Sequence, residues 1–205
     1  MRIRERLMLQ FGMPEGILGR IAGFIMAHRS SNIERIKWAI AELDARAADC
    51  VLEIGFGPGI GIRLLSDRII EGKVYGIDHS PLMARKAKSR NKIAVDSGRV
   101  ELIVTSSSQL PSFDRRIDKA LDINTFQFWD EPMRALRQLR AALKPGGIIA
   151  IVHEPRERGA TDRDTIEAGR RISETLEASG FEEVRQKLRR MKPVSTVCVI
   201  GKNPA

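Results

Sequence analysis

Cysteine is scarce in this 205-residue chain: Cys50 and Cys198 are the two, each inside an apolar run, "CVLEI" and "TVCVI", that reads as a buried strand. A pair of thiols with no clustered histidine makes a poor metal site, so none is expected, whereas a buried free cysteine is an ordinary core residue. Long apolar runs are missing too, and none reaches the ~18 residues that a membrane span needs. The N-terminal "MRIRERLMLQ" starts basic, but no apolar stretch with a small-residue cleavage site follows it. No secretion signal is evident, and a cytoplasmic location is expected. Internal repeats, low-complexity tracts and interdomain linkers are absent, which leaves one domain over residues 1–205 as the expectation.

What is present is an excess of positive charge, +9 in formal terms. Such a surplus favours anionic partners: nucleic acid, a phospholipid surface or acidic metabolites. The basic residues are spread out, however, as in Arg85, Lys86, Lys88, Arg90 and Lys92, or Arg185, Lys187, Arg189, Arg190 and Lys192. Many alternate with apolar residues at helix or strand spacing, as on a solvated face.

The apolar pattern predicts a short amphipathic helix over Ile17–Met26 and a second over Ser31–Arg46, with Ile33, Ile36, Ala39, Ile40 and Leu43 on one face. Beyond it, elements alternate. Strands are predicted at Cys50–Gly55, Lys73–Ile77, Val100–Val104, Ile117–Ile123 and Ile148–Val152. Helices fall near Gly59–Ile70, Pro81–Val95 and Pro132–Leu143, the last stopped by "KPGG". A helix over Asp162–Ser179 and two paired strands, Phe181–Met191 and Thr196–Ile200, complete the pattern. Near-continuous apolar strands alternating with helices indicate a mostly parallel α/β sheet covered on both faces.

One stretch carries the chemistry. In "CVLEIGFGPGIG" an apolar run meets Glu53, and Gly55, Gly57, Gly59 and Gly61 then occupy alternate positions. Strand, glycine-rich turn and helix start make a nucleotide-cofactor cradle beyond the carboxyl end of a strand. Dinucleotide folds share that pattern, but here the spacing is G-x-G-x-G, and a carboxylate stands two residues before the first glycine. A phosphate-binding turn gains nothing from a carboxylate there, whereas a positively charged cofactor does.

"EIGFGPG" resembles the first motif of class I S-adenosylmethionine-dependent methyltransferases, and "VYGIDHS" their second, an acidic residue at the end of strand two. "LDINTFQFW" and "DEPMRALRQLRAALKPGGIIAI" are similar to the fourth strand, helix and pre-strand turn of the type 11, ubiquinone/menaquinone-biosynthesis-like branch. The match runs in order from about Ala47 to Val152. The resemblance implies a Rossmann-like, doubly wound, mostly parallel seven-stranded sheet with the last strand antiparallel. It also implies a helical lid over residues 1–46 before a core over 47–205.

The cofactor implied is S-adenosyl-L-methionine, with S-adenosyl-L-homocysteine as product. By resemblance, Asp78 accepts both ribose hydroxyls and His79 packs on the adenine face. Gly55 and Gly57 let the backbone approach the methionine portion, and Glu53 favours the ammonium end. Gly59 belongs to the same loop, although it and Gly61 can equally serve helix packing. Where the family often carries an acidic residue for the adenine amino group, this chain has "VTSSSQLP", which leaves Ser106 and Ser107 as weaker acceptors. Asn124 matches the family's asparagine at the cofactor.

Methyl transfer from a sulfonium is an in-line displacement that needs alignment more than a nucleophile, and no dedicated nucleophile is evident. If a base assists, the candidates are Asp122 near the end of strand four, and His153 beside Glu154 at the end of strand five. Phe126, Phe128 and Trp129 in "NTFQFW" offer an apolar or aromatic wall, and a small hydrophobic or aromatic metabolite is the expected acceptor. The alternatives are a phospholipid head-group N-methyltransferase in peripheral membrane contact, and a cofactor-binding protein without transfer activity. Nucleic-acid methyltransferases of this fold usually carry an Asn/Asp-Pro-Pro-aromatic motif where "DINTF" stands, which argues against a flipped-base substrate.

Overall fold

The computed structural model describes residues 30–205. The predicted helix Ile17–Met26 and most of the lid segment lie outside the described residues. In chain order the elements are α1 (Ser30–Leu43), β1 (Cys50–Ile54), α2 (Ile60–Arg68), β2 (Lys73–Asp78), α3 (Pro81–Arg90), α4 (Lys92–Asp96) and β3 (Val100–Val104). Then follow β4 (Ile117–Ile123), a short 3-10 turn (Phe126–Phe128), α5 (Pro132–Ala142), β5 (Leu143–His153), α6 (Asp162–Ala178), β6 (Glu182–Arg189) and β7 (Thr196–Lys202).

The strands form one seven-stranded sheet in the order β3-β2-β1-β4-β5-β7-β6. Neighbours from β3 to β5 pair in parallel, and the last strand, β7, runs antiparallel to both β5 and β6. The order reverses between β1 and β4, and in such sheets ligands bind beyond the carboxyl ends of the strands at that reversal.

Strand β1 shows why the central strands read as unbroken apolar runs. All five of its residues are buried. Val51 joins a core with Ile36, Ala39 and Leu43 of α1 and Ile62 and Leu65 of α2. Leu52 and Ile54 face the other way, into a core with Leu136 and Leu139 of α5 and Ile172 and Leu176 of α6. The period-two alternation of a strand thus feeds two apolar layers at once. Among the described residues, no helix is long and apolar enough to cross a membrane.

Three local departures from the sequence pattern have physical causes. The single helix expected over Pro81–Val95 is two, α3 and α4, broken at Asn91 (φ −109°, ψ 22°). Its buried side-chain amide donates to the carbonyls of Ala87 (2.8 Å) and, across the fold, Gly59 (3.0 Å). The turn "KPGG" does not precede β5 but lies within it. Leu143 pairs with Ile117 and Ile148 with Lys119, so residues 144–147 bulge out between two registers. Finally, the buried face of α1 includes a cation: Arg35 is 2% exposed.

Candidate cofactor site

A cavity opens at the carboxyl ends of β1, β2 and β4, and Glu53, Gly55, Gly57 and Asp78 line it together with His79, Ser107 and Asn124. Gly61 lines it as well, whereas Gly59, Ser106, Asp122 and His153 do not.

The four alternating glycines do different things. A Cβ at Gly55 would run into the Thr125 side chain, and one at Gly61 into the Glu53 carboxylate. At Gly59 it would meet Ala87 Cα at 2.7 Å and Asn91 Nδ2 at 2.8 Å, which packs this residue against α3 and outside the cavity. A Cβ at Gly57 would meet nothing within 4 Å. Three of the glycines therefore let protein pack on protein, and Gly57 is the one that faces open space. The loop's N–H groups are also committed: Gly55 donates to Ile77 O (2.8 Å), Gly57 to Asp78 Oδ2 (2.8 Å) and Gly59 to Phe56 O (3.0 Å). A phosphate-binding turn presents such donors to its ligand. This one keeps them.

The ligand end of the loop is acidic. Glu53 is buried, 4% exposed, and its Oε2 has no hydrogen-bond partner among the described residues. Burial, reinforced by the charges of Asp78 and Asp122, pushes its carboxyl well above the usual range. Burial pushes Asp78 up as well, while N–H donors from Ser80 (2.8 Å) and Gly57 pull it back part of the way. Each Asp78 oxygen retains acceptor capacity beyond its one N–H. Two buried carboxyls held against their charge call for a cation-bearing ligand with hydroxyls. S-adenosylmethionine fits that donor set, and a pyrophosphate does not.

Beyond β4 the chain turns through "NTF". Asn124 adopts a left-handed conformation (φ 59°), which asparagine tolerates better than most residues. Its Oδ1 accepts the Glu154 N–H (2.7 Å), and its Nδ2 is a second buried atom without a partner among the described residues.

Asp122 builds this turn from behind the cavity wall. It is fully buried; Oδ1 accepts N–H bonds from Thr125 (3.2 Å) and Phe126 (3.1 Å), and Oδ2 meets the Thr125 hydroxyl. The expectation that it faces the reaction centre is corrected accordingly. Burial raises its pKa to about 6. The Thr125 hydroxyl has one hydrogen and two oxygens to satisfy, Asp122 Oδ2 and the Ile54 carbonyl (3.1 Å). A protonated Asp122 supplies the second hydrogen.

His153 stands outside the cavity, with Nδ1 3.3 Å from Gln127 Oε1, and burial lowers its pKa, so it is neutral at pH 7. Ser106 also turns away. Its hydroxyl bonds Ser108 Oγ (2.7 Å) and accepts the Ser108 N–H, and the cavity is lined instead by Thr105 and Ser107. Sequence reasoning missed Thr105, Thr125, Asn32 and Arg156, all of which line the cavity. Thr125 had a signal, because it follows Asn124 inside the quoted motif. Asn32 and Arg156 had none, since long-range packing brings them there.

Residues 52–151 match the family described as Methyltransferase domain. Over 185 residues the chain is 34% identical to YdaC of Bacillus subtilis (strain 168), described as an uncharacterized methyltransferase, which covers 90% of this chain and 99% of YdaC. The chain belongs to the class I S-adenosylmethionine-dependent methyltransferases. Within them it falls in the type 11 branch. This methyltransferase is also 30% identical over 132 residues to a 2-phytyl-1,4-naphtoquinone methyltransferase of Trichormus variabilis, covering 62% of this chain and 56% of that protein. Its fold resembles N-methyltransferase NodS of Bradyrhizobium japonicum WM9, solved with S-adenosyl-L-homocysteine, at a TM-score of 0.71 and 16% identity, covering 98% of both chains.

Proposed function

We propose that this methyltransferase acts on a small metabolite with a hydrophobic or aromatic body, and that it works by alignment rather than by a protein base. The observation that carries this reading is Phe128, a large apolar side chain left 47% exposed where it lines the cavity. Trp129 lines the same wall from a buried position, with its ring 4.9 Å from that of Phe126. Exposed aromatic surface at the end of a polar cofactor site suits a flat apolar acceptor.

S-adenosylmethionine brings the activated methyl group. Asp78 is suited to its ribose hydroxyls, Glu53 to its ammonium end, and Gly57 and Asn124 to close contact along its length. His79, exposed at the rim, is suited to an aromatic face. Of the two candidate bases, Asp122 spends both oxygens on the turn and His153 does not line the cavity. The protein's contribution is then to hold two reactants in line and exclude water.

Incubating the protein with a metabolite extract and isotopically labelled cofactor, followed by mass spectrometry, tests this reading. Label in small, apolar or aromatic molecules is expected. Label confined to phospholipid or to macromolecules would overturn it.

A further inference from the structure

Three carboxyls stand near the ends of three adjacent strands. Glu53 pairs in register with Gly76 of β2 and with Leu121 of β4. Asp78 lies two residues beyond Gly76, on the same face as Glu53, and Asp122 lies one beyond Leu121, on the other face. The charges that act on Glu53 are these two, both of its own sign. From α2, Gly61 packs so closely on the Glu53 carboxyl that a Cβ there would collide with it, yet no N–H of that first turn bonds Oε2. His79 acts on Asp78 rather than on Glu53. Arg35 is committed to Glu154, and Arg156 has a partner of its own. Among the described residues, no cation pairs with Glu53.

A buried carboxylate with no cation, no donor on one oxygen and acids for neighbours is costly, and the protonated form is the more stable one. An ammonium brought beside it reverses that preference, because an opposite charge within a few ångströms favours the ionised form. Resting on the assignment of Glu53 to the cofactor's ammonium end, we propose that Glu53 is a neutral acid in the free protein and ionises when the cofactor binds, so that association expels a proton. Protonated protein and cofactor, its ammonium intact, give a complex with a carboxylate–ammonium pair, and the proton passes to solvent.

Affinity for the cofactor therefore rises with pH wherever the free protein holds that proton. A ligand without an ammonium draws no proton off and gains no ion pair. Glu53 thereby makes the site read the amino-acid end of its ligand and not the nucleoside alone.

The test is calorimetric titration with S-adenosylhomocysteine at pH ~5.5, ~6.5 and ~7.5, each in two buffers of different ionisation enthalpy, which counts the protons released. The comparison ligand is 5′-methylthioadenosine, which keeps the nucleoside and thioether but has no ammonium. Wild type should release up to about one proton with S-adenosylhomocysteine, its affinity rising by up to about tenfold per pH unit, and about none with 5′-methylthioadenosine. Glu53→Gln keeps the shape of the neutral acid but cannot ionise. It should release no proton, bind S-adenosylhomocysteine more weakly than wild type at the highest pH, and show an affinity flat with pH. Absence of proton release by wild type at all three pH values overturns the proposal. Equal release with both ligands would place the proton on Asp78, beside the ribose, and release that persists in Glu53→Gln would place it on another group; either result also overturns it. If Glu53→Gln binds S-adenosylhomocysteine as tightly as wild type throughout, the ammonium assignment itself falls. Weakened binding by the variant with no release by wild type leaves that assignment standing, so the two failures are distinguishable. The wild-type titrations need no variant, and equal melting temperatures for the two proteins control for folding.

Discussion

At the scale of single residues, the alternating glycines are separable by what surrounds them. Gly57→Ala adds a methyl into open space and carries only the cost of a left-handed backbone (φ 51°), about 1–2 kcal/mol. Gly55→Ala has a similar backbone cost and also drives a methyl into Thr125, which adds about 1–3 kcal/mol of overpacking. Urea denaturation should therefore rank Gly55→Ala as clearly the less stable. Cofactor titration should show Gly57→Ala folded but weakened in binding, because its methyl enters the cavity. Asp122 yields a pH prediction. Its folded pKa of about 6 lies above the ordinary 3.8, so the protonated form favours the folded state. That contribution is complete below the ordinary value and is lost as pH rises through about 6, an effect on the order of 3 kcal/mol. Asp122→Asn carries a permanent N–H where the protonated carboxyl has its hydrogen. Chemical denaturation at a series of pH values should show the variant losing less stability than wild type between pH ~4 and pH ~8, with its turnover within about tenfold of wild type because no base is removed.

At the scale of elements, α1 is fastened to the sheet by more than apolar contact. Arg35 pairs with Glu154 and donates to Thr196 Oγ1 (3.2 Å), and all three residues are buried. Removing one partner of a buried pair strands the other charge and costs about 3–5 kcal/mol, whereas replacing both by apolar residues is often close to neutral. Arg35→Met and Glu154→Leu should each destabilise strongly, and the double substitution should recover most of the loss, as a denaturant double-mutant cycle would show. The sequence displayed the apolar face of this helix through Ile36, Ala39, Ile40 and Leu43, but it gave no sign that Arg35 shares that face. Patterning reports polarity, and a buried cation is legible only once its partner, 119 residues away in the chain, is known. The break at Asn91 and the bulge at "KPGG" were hidden for the same reason. Gly59 and Ile117 make those features, and neither is near in sequence. The alternation of elements was legible because the central strands carry their own apolar runs, whereas β6 is charged and largely exposed, and the antiparallel last strand was implied by the family resemblance.

At the scale of the whole molecule, cofactor binding should register as global stability. A ligand at about a hundred times its dissociation constant adds about 2.7 kcal/mol. For a chain of this size that corresponds to a rise of roughly 5–10 °C in melting temperature. A thermal melt with S-adenosylhomocysteine should show such a rise and one with a nicotinamide dinucleotide should not; the reverse would contradict the donor arrangement of the glycine loop. That loop is clasped from three parts of the fold: Thr125 at the end of β4, Asp78 at the end of β2 and Asn91 at the end of α3. Backbone freedom is the main thing that folding consumes, at about 1–2 kcal/mol for each residue fixed. For residues 55–59 that entropy is surrendered when the chain folds, before any cofactor arrives. The free energy of cofactor association then carries no charge for ordering its own cradle, and the five residues that look most pliable in the sequence are among those with the least conformational freedom left to lose.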